Sequence, residues 1–271
     1  MALLAGIPAG AAELQRTPLP AAPHRFVVVS HRGSHLKQAP ENSLQSIEAA
    51  IAEGADYVEM DVRRTRDGVH FLMHDSKPRR MAPEGPDRPL SELSWLEIQA
   101  LKLKAPEGSP LPPTTIPTFE AALKACKGRI RIYLDFKDGD RGEVARMIVA
   151  AGMENSVAVY DGEKGAAEWR RLAPSLPLIV SPPRTALASP EAWKSWLERT
   201  PIEVVDRIDA PFSKELVEIA HAAGVAVWPD TLGKDDTRER WEVVAGAGAD
   251  GLQTDHPEAV NAWRKQQLET R

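Results

Sequence analysis

The chain has a single cysteine, Cys126, among 271 residues, which excludes an intramolecular disulfide. Cysteine usage therefore does not indicate a compartment. The chain also has no excess of positive charge, since 34 lysine and arginine residues stand against 39 aspartate and glutamate residues, for a formal net charge of −5. Such a chain has no general electrostatic attraction to nucleic acid or to an anionic membrane. Any basic binding site in it must be local.

Long hydrophobic runs and the common phosphate-loop motif are also missing. No apolar stretch approaches the roughly 20 residues that a transmembrane helix needs. The glycines form no GxxxxGK[ST] pattern, which argues against a nucleotide-binding loop. What is present, 42% hydrophobic and 27% charged residues, is the composition of a globular protein with enough apolar material for a core.

The first 25 residues are rich in alanine and proline and predict a leader before the folded part. A short apolar start and small residues at 9–12 fit the remnant of a secretory signal, but the positively charged region of such a signal is missing. The alternative is a disordered or surface-bound leader. Cytoplasmic and secreted or periplasmic locations both remain open.

From Phe26 onward, short apolar runs alternate with amphipathic stretches. Eight runs have the length and boundaries of strands, namely 26–30, 57–62, 130–136, 156–160, 176–180, 203–206, 225–228 and 251–254. Segments with helical spacing follow them, from 43–53 to 257–266. Eight strand–helix alternations favour an α/β fold of the closed (β/α)₈ TIM-barrel type over an open doubly wound sheet. We expect a single catalytic domain over residues 26–266.

The alternation breaks once, between the second and third barrel units. Residues 76–117 are far longer than an ordinary connection, and a short extra strand at 69–73 precedes them. One helix is predicted inside this segment, at 92–101. We expect an insertion that lies over one end of the barrel. Its neighbouring arginines, Arg79 and Arg80, could steer an anionic head group but are interpreted as surface charge.

Reactive side chains follow the predicted strand ends, which is where barrel active sites lie. They are His31 and Arg32 after the first strand, Glu59 and Asp61 on the second, His74 after the extra strand, and Asp135 and Lys137 on the third. Residues two apart share a strand face, so each strand would direct its pair to one side. Two histidines, three carboxylates, an arginine and a lysine could therefore meet at one barrel mouth.

This combination of groups indicates phosphodiester chemistry. Three carboxylates suit one hard divalent cation, Mg²⁺ or Ca²⁺, and the histidine and cysteine spacing of a zinc site is absent. Arg32 offers a planar fork for phosphate oxygens and Lys137 a point charge. Two histidines could act as general acid and general base. Together these groups would neutralise a phosphoryl group while protons move, as cleavage of a phosphodiester requires.

Nine short motifs resemble those of the glycerophosphodiester phosphodiesterases. They are HRG at 31–33, PEN at 40–42, GADYVEMDV at 54–62, TRDG at 65–68, HD at 74–75, IPTFEAAL at 116–123, YLDFK at 133–137, VAVWPDT at 225–231 and DGLQTDHP at 250–257. The resemblance spans residues 26–260 and implies a TIM barrel with a small inserted subdomain. It implies hydrolysis of glycerophosphodiesters to sn-glycerol 3-phosphate and an alcohol.

The resemblance also implies a role for each site residue. It makes His31 and His74 the acid–base pair, Glu59 and Asp61 metal ligands, Arg32 and Lys137 phosphate contacts, Glu41 a supporting group and Trp228 the wall of the alcohol pocket. Asp135 stands at a third ligand position that is often glutamate in the family. In the implied mechanism the glycerol hydroxyl attacks phosphorus, and water then opens the cyclic phosphate.

Two other functions remain open at this point. One is a phospholipase D-like phosphodiesterase that acts on lysophospholipids, which long apolar loops would favour, although the insertion is polar and rich in proline. The other is a barrel that only binds phosphodiesters, which loss of His31 or His74 would favour, although both are present. The expected partner is a small-molecule substrate, and the sequence does not predict the oligomeric state.

Overall fold

Parallel strands arranged in a ring form the frame of the fold. The computed structural model describes residues 16–37, 39–208 and 212–267. In chain order its strands are β1 (Val27–Ser30), β2 (Tyr57–Arg64), β3 (His70–Leu72), β4 (Lys102–Leu103), β5 (Thr114–Thr115), β6 (Arg131–Phe136), β7 (Val157–Tyr160), β8 (Leu178–Val180), β9 (Val204–Val205), β10 (Ala226–Val227) and β11 (Gly251–Thr254). Eight of these strands are parallel neighbours, in the order β10-β9-β8-β7-β6-β2-β1-β11.

The two ends of this strand order meet and nearly close the barrel. A parallel bridge joins Asp230, just after β10, to Gln253 on β11. The backbone N–H of Gln253 also donates to the Pro229 carbonyl at 3.0 Å, and that of Thr231 donates to the Gln253 carbonyl at 2.9 Å. The predicted TIM barrel is confirmed, and each of the eight predicted strands corresponds to one barrel strand.

Helices connect the strands and cover the outside of the barrel. They are α1 (Leu44–Ala52), α2 (Trp95–Gln99), α3 (Phe119–Cys126), α4 (Arg141–Ala150), α5 (Glu163–Leu172), α6 (Pro190–Arg199), α7 (Lys214–Ala222), α8 (Arg238–Gly246) and α9 (Pro257–Gln267). Seven begin after a residue whose side chain accepts a backbone N–H of the first turn: Ser43, Ser94, Thr118, Asp140, Ser189, Ser213 and Thr237. These caps satisfy donors that the helix itself leaves unpaired and fix where each helix begins.

Alternating residues of the barrel strands face two separate apolar layers. On β1, Val28 packs in the large layer between strands and helices, whereas Val27 and Val29 pack inside the barrel. Tyr57 on β2 and Tyr133 on β6 belong to the same interior layer. Because side chains two apart point the same way, the inward rows that begin at these tyrosines continue toward the carboxyl ends of β2 and β6. Polar residues in these rows therefore meet at the barrel mouth.

The insertion forms a small unit with a core of its own. Strand β3 pairs antiparallel with β2, and β4 pairs antiparallel with β5. Its apolar cluster consists of Phe71, Met73, Met81, Leu90, Leu93, Ile98, Leu103 and Ile116. The single helix predicted at 92–101 is instead a 3₁₀ turn at Leu90–Glu92 followed by the short α2. Ser94 begins a new helix because it and Glu97 form a capping box.

Residues 16–25 lie against the amino end of the barrel. The Arg16 guanidinium donates to the carbonyls of Leu197 at 3.0 Å and Ala223 at 2.8 Å. The Tyr57 hydroxyl donates to the Pro20 carbonyl at 3.1 Å. Residues 1–15 of the predicted leader, including the small residues at 9–12, lie outside the described residues. Among the described helices, none has both the length and the apolar character that a membrane span requires.

Candidate active site

Three buried carboxylates converge at the carboxyl end of the barrel. Glu59 and Asp61 lie on β2 and Asp135 lies opposite Asp61 in the pairing of β2 with β6. Their exposed fractions are 3%, 1% and 9%. One carboxylate oxygen from each lies within 4.8 Å of the others. The predicted convergence of the three acidic residues is therefore present in the fold.

The three carboxylates differ in how readily they ionise. Burial, together with the negative charges of Asp61 and Asp135, raises the pKa of Glu59 well above its usual value. Burial likewise raises the pKa of Asp135 to about 6. Burial alone would also raise the pKa of Asp61, but the positive charges of Lys137 and Arg32 hold it below its usual value. The three carboxylates repel one another when ionised, and a bound cation would offset this repulsion. Closely spaced carboxylate oxygens are the ligands that a hard divalent cation prefers.

Lys137 supplies a positive charge directly beside this trio. It follows β6, two residues after Asp135, and its Nζ lies 3.0 Å from Asp61 Oδ1 and pairs with Asp135 Oδ2. Burial alone would lower the pKa of Lys137, but the two carboxylates raise it. The ammonium group is therefore charged at neutral pH and lines the same cavity as the carboxylates.

Arg32 contacts the acidic groups through both its backbone and its side chain. It follows β1 with a φ of 51°, in the left-handed region. Its backbone N–H donates to Glu59 Oε2 at 2.7 Å, and its Nε lies 3.4 Å from Asp61 Oδ2. Its Nη1 donates to Glu41 Oε1 at 3.1 Å. This geometry fixes the guanidinium at the cavity wall, with Glu41 behind it.

The two histidines stand at the same cavity, and each is held by an aspartate. His31 Nδ1 lies 2.7 Å from Asp255 Oδ1, and His74 Nδ1 lies 2.8 Å from Asp75 Oδ1. A carboxylate at Nδ1 favours the proton on that nitrogen and leaves Nε2 as the ring atom for proton transfer. Burial would raise the pKa of Asp255, but the hydrogen bond from His31 lowers it to about 2. Burial lowers the pKa of His74 despite the opposing effect of Asp75.

One cavity brings most of the predicted site residues together. Its lining consists of His31, Arg32, Glu59, Asp61, His74, Tyr133, Asp135, Lys137, Tyr160, Asp206, Arg207, Leu232 and Gln253. Glu41 lies behind Arg32. Trp228 is not brought to this cavity: it is 2% exposed and lies inside the barrel, with its ring centroid 5.0 Å from that of Tyr57. It packs there because it directly follows β10, two residues after Ala226, in the row that faces the interior layer.

The wall opposite the carboxylate trio is also polar, which the sequence did not indicate. Asp206 accepts hydrogen bonds from the Tyr133 hydroxyl at 2.5 Å and the Ser181 hydroxyl at 2.7 Å. Burial and the neighbouring charge of Asp230 raise the pKa of Asp206 to about 7. Arg207 Nε donates to Asp230 Oδ2 at 3.2 Å. The run VVD at 204–206 is a strand-end aspartate of the kind assigned on β2 and β6, and it is the signal that could have identified this wall.

Asn42 and Asp255 are further groups that the sequence interpretation missed. The Asn42 side chain donates to Asp61 Oδ2 at 2.6 Å and accepts from the Asp61 backbone N–H at 3.0 Å, so it fixes the orientation of that carboxylate. Asn42 belongs to the PEN motif, in which only Glu41 was given a role. Asp255 belongs to the DGLQTDHP motif and holds His31. Both residues lie in motifs of the resemblance, and only the fold shows what they contact.

Comparison with known proteins shows which family the chain resembles. The family model described as "Glycerophosphoryl diester phosphodiesterase family" matches residues 31–151, which include both histidines, the carboxylate trio and Lys137. This match covers 121 of the 271 residues, so the chain resembles this family over somewhat less than half of its length. A relative along nearly its whole length is the glycerophosphodiester phosphodiesterase of Caldanaerobacter subterraneus, 26% identical over 257 residues that cover 89% of this chain and 99% of that protein.

Other phosphodiesterases match over less sequence or at lower identity. Glycerophosphodiester phosphodiesterase 1 of Mus musculus is 36% identical over 117 residues, which are 42% of this chain but 34% of that protein. The alignment thus spans about a third of the mouse protein. A solved structure of an Oleispira antarctica phosphodiesterase in complex with sn-glycerol-3-phosphate has a TM-score of 0.67 at 21% identity, covering 87% of this chain and 95% of that chain. This likeness establishes the shared fold.

Proposed function

We propose that the protein hydrolyses glycerophosphodiesters to sn-glycerol 3-phosphate and an alcohol, with a divalent cation in the carboxylate trio. The observation that carries this proposal is the cavity itself, in which acidic, basic and imidazole groups face one small volume. The complex of the Oleispira relative with sn-glycerol-3-phosphate supports the same product. A site of this composition can hold the charge of a phosphodiester and move protons on both sides of phosphorus.

In this proposal Glu59, Asp61 and Asp135 hold one Mg²⁺ or Ca²⁺ ion. Their oxygens lie close enough together to share a cation, and Asn42 orients Asp61 from behind. When bound, the cation supplies positive charge that polarises the phosphoryl group. Asp135 would hold the cation with a side chain one methylene shorter than that of glutamate, which would leave room for water beside it. Arg32 and Lys137 contact the remaining phosphate oxygens.

His31 and His74 are the proposed acid–base pair. One removes the proton from the glycerol hydroxyl, so that its oxygen attacks phosphorus and forms a cyclic phosphate, while the other protonates the departing alcohol. The roles then reverse when water opens the ring. The aspartate behind each imidazole fixes the ring through Nδ1 and leaves Nε2 to take a proton and return it.

The polar lining of the cavity favours a water-soluble alcohol over a lipid. Asp206, Arg207 and Gln253 line the side opposite the carboxylate trio. An acyl chain buried against such groups would leave them without partners, at a substantial desolvation penalty. The polar wall therefore argues against the lysophospholipid alternative, and contacts to the alcohol come from these residues rather than from the buried Trp228.

The deciding experiment is product analysis on a panel of glycerophosphodiesters and lysophospholipids after chelation and after return of Mg²⁺, Ca²⁺ or Mn²⁺. We expect release of sn-glycerol 3-phosphate that stops with EDTA and resumes with metal. Asp61→Asn should abolish the effect of metal, and Asp87→Asn, an exposed substitution in the insertion, should not. Turnover that is insensitive to EDTA would refute the metal, faster turnover of lysophospholipids would favour the lipid enzyme, and binding without turnover would favour the non-catalytic barrel.

A further inference from the structure

Arg80 joins the insertion to two carboxylates at the barrel mouth. Its Nη1 and Nη2 donate to the two oxygens of Glu41 at 2.8 and 2.5 Å. Its Nε and Nη2 donate to the two oxygens of Asp75 at 2.5 and 3.2 Å. Both carboxylates are thus bound in the two-point geometry that arginine alone among side chains can offer. The interpretation of Arg80 as plain surface charge is therefore incomplete.

Each of these carboxylates also holds a side chain of the candidate active site. Asp75 binds Nδ1 of His74, and Glu41 binds Nη1 of Arg32. Arg80 is consequently one contact away from a proposed acid–base group and from a proposed phosphate-binding group. Arg80 therefore reaches His74 through Asp75 and reaches Arg32 through Glu41, by two separate carboxylates.

Arg80 is 45% exposed, and its buried carboxylate partner distinguishes it from the exposed ion pairs of the insertion. Glu41 is 7% exposed, and burial alone would raise its pKa, but Arg80 and Arg32 hold that pKa below its usual value. By contrast, the pair between Arg88 and Glu97 has exposed fractions of 43% and 40%. Exposed pairs of that kind contribute little to stability or geometry. Arg88 is therefore a matched reference for Arg80 within the same insertion.

We propose that Arg80 is a positioning residue, which orients His74 through Asp75 and Arg32 through Glu41 and so couples the seating of the insertion to the assembly of the active site. This inference rests on the proposed phosphodiesterase function. Without the Arg80 guanidinium, Glu41 and Asp75 lose the positively charged group that binds both of them. Glu41 then binds Arg32 more strongly, in competition with the phosphate of the substrate. Asp75 is free to rotate away from His74.

The two connections predict separable kinetic effects. We expect Arg80→Ala to lower kcat/KM by about 10- to 100-fold, the range typical for loss of a group that orients an active-site residue. Arg80→Lys should recover only part of this loss, because one ammonium cannot grip two carboxylates at two points each. Arg88→Ala should remain within about twofold of the wild type, as expected for an exposed ion pair.

Double variants test whether Arg80 acts through Asp75 and Glu41, rather than how large its effect is. In an Asp75→Asn background, Arg80→Ala should cause little further loss of kcat, because the route to His74 is already broken, while KM still rises. In a Glu41→Gln background the reverse should hold. A purely structural role, or direct contact of Arg80 with substrate, predicts the same loss in every background. Equal losses in both backgrounds would therefore overturn the proposal.

A measurement on His74 itself separates this inference from the proposed function. The charged groups around its imidazole are Asp75, Asp61, Arg32 and Lys137. Arg80→Ala should free Asp75 from His74, and because the hydrogen bond to Asp75 raises the His74 pKa, the NMR titration midpoint of the His74 ring should move downward. Arg88→Ala should leave this midpoint unchanged. His74→Gln identifies the signal. An unmoved midpoint would overturn the inference even in an active enzyme, whereas a moved midpoint in a protein without turnover would remove only the phosphodiesterase assignment.

Discussion

At the scale of single residues, the two histidines at the cavity each have a carboxylate partner that fixes one ring nitrogen. We expect His31→Ala and His74→Ala each to lower kcat on glycerophosphocholine by at least ~100-fold, the usual scale for loss of a general acid or base. Steady-state kinetics with excess metal measure the effect. His221→Ala, which removes an exposed imidazole paired with Asp250, is the control. Near-native turnover by either site variant would remove that histidine from the mechanism.

Asp206 makes a prediction about stability and pH. Its pKa of about 7 lies above the value of roughly 4 for aspartate in an unfolded chain. Between those values the folded state holds a proton that the unfolded state releases, so rising pH lowers stability across this window. Asp206→Asn places a neutral side chain beside the Tyr133 and Ser181 hydroxyls. Each hydroxyl can donate a hydrogen bond to the amide oxygen or accept one from the amide N–H. Its gain in Tm over the wild type should therefore be larger at pH 8 than at pH 5.

The control for this prediction is Asp87→Asn, because Asp87 is exposed in the insertion. That variant should show no comparable gain in Tm between pH 5 and pH 8. If Asp206→Asn changed Tm equally at the two pH values, the carboxyl would not titrate in this window in the folded protein. The raised pKa would then be wrong.

Strand-end residues were predictable from sequence because position along a parallel strand decides which end of the barrel a side chain reaches. Glu59, Asp61 and Asp135 could be placed in this way before any contact was known. Arg80 could not, because it lies in a loop of the insertion, where a side chain takes whichever partner the tertiary fold brings near. Asp255 directly follows β11, so its position was predictable but its contact with His31 was not. Trp228 was expected at the alcohol pocket because it stands near a strand end, but its side chain belongs to the row that packs inside the barrel.

At the scale of elements, the turn between β1 and α1 depends on Gly33. This residue has a φ of 76° and directly follows Arg32, which is also left-handed. A Cβ at this position would overlap the Ser46 side chain on α1. We expect Gly33→Ala to lower the free energy of unfolding by about 3 kcal/mol or more, from backbone strain and overlap together. Urea denaturation measures the change.

Gly108 separates the two causes, because its φ is 77° and nothing lies within 4 Å of an added Cβ. Gly108→Ala should therefore show backbone strain alone, about 1–2 kcal/mol. Equal losses for the two variants would mean that the turn can move away from Ser46. In that event Arg32 would not be held rigidly by the turn.

Element boundaries within the insertion were less predictable than those of the barrel. The barrel strands are buried on both faces and appear as continuous apolar runs. The segment 90–101 mixes apolar and polar residues at a spacing that fits one helix, yet Ser94 and Glu97 begin a second one. The S-x-x-E pattern of a capping box at 94–97 marks a helix start that periodicity does not reveal. Short elements stabilised by local caps are the part of a fold that periodicity describes least well.

At the scale of the whole molecule, we propose that residues 26–266 form one catalytic domain with 76–117 inserted. The insertion has its own apolar cluster, but the pairing of β3 with β2 and the contacts of Arg80 connect it to the barrel mouth. Residues 16–25 cover the other end of the barrel, far along the strands from the cavity. A cation bound at the mouth would join β2 and β6 and would therefore stabilise the folded barrel.

Cys126 offers a direct measure of that stability. It lies on α3, is 0% exposed in the layer between strands and helices, and burial raises its pKa to about 12. The thiolate is the reactive form of cysteine, so the folded protein should react with a thiol reagent only when it opens. Because the chain has one cysteine, the labelling rate reports a single, defined site.

We expect labelling of Cys126 to be slow in the native protein and fast in urea. Where opening equilibrates faster than labelling, Mg²⁺ at 100 times its Kd should slow the reaction about 100-fold, because a ligand that binds only the folded state lowers the open population by that factor. Asp61→Asn, which lacks a proposed ligand, should lose most of this protection. Native labelling as fast as in urea would contradict the burial of Cys126, and Mg²⁺ protection that survived in Asp61→Asn would place the cation outside the carboxylate trio.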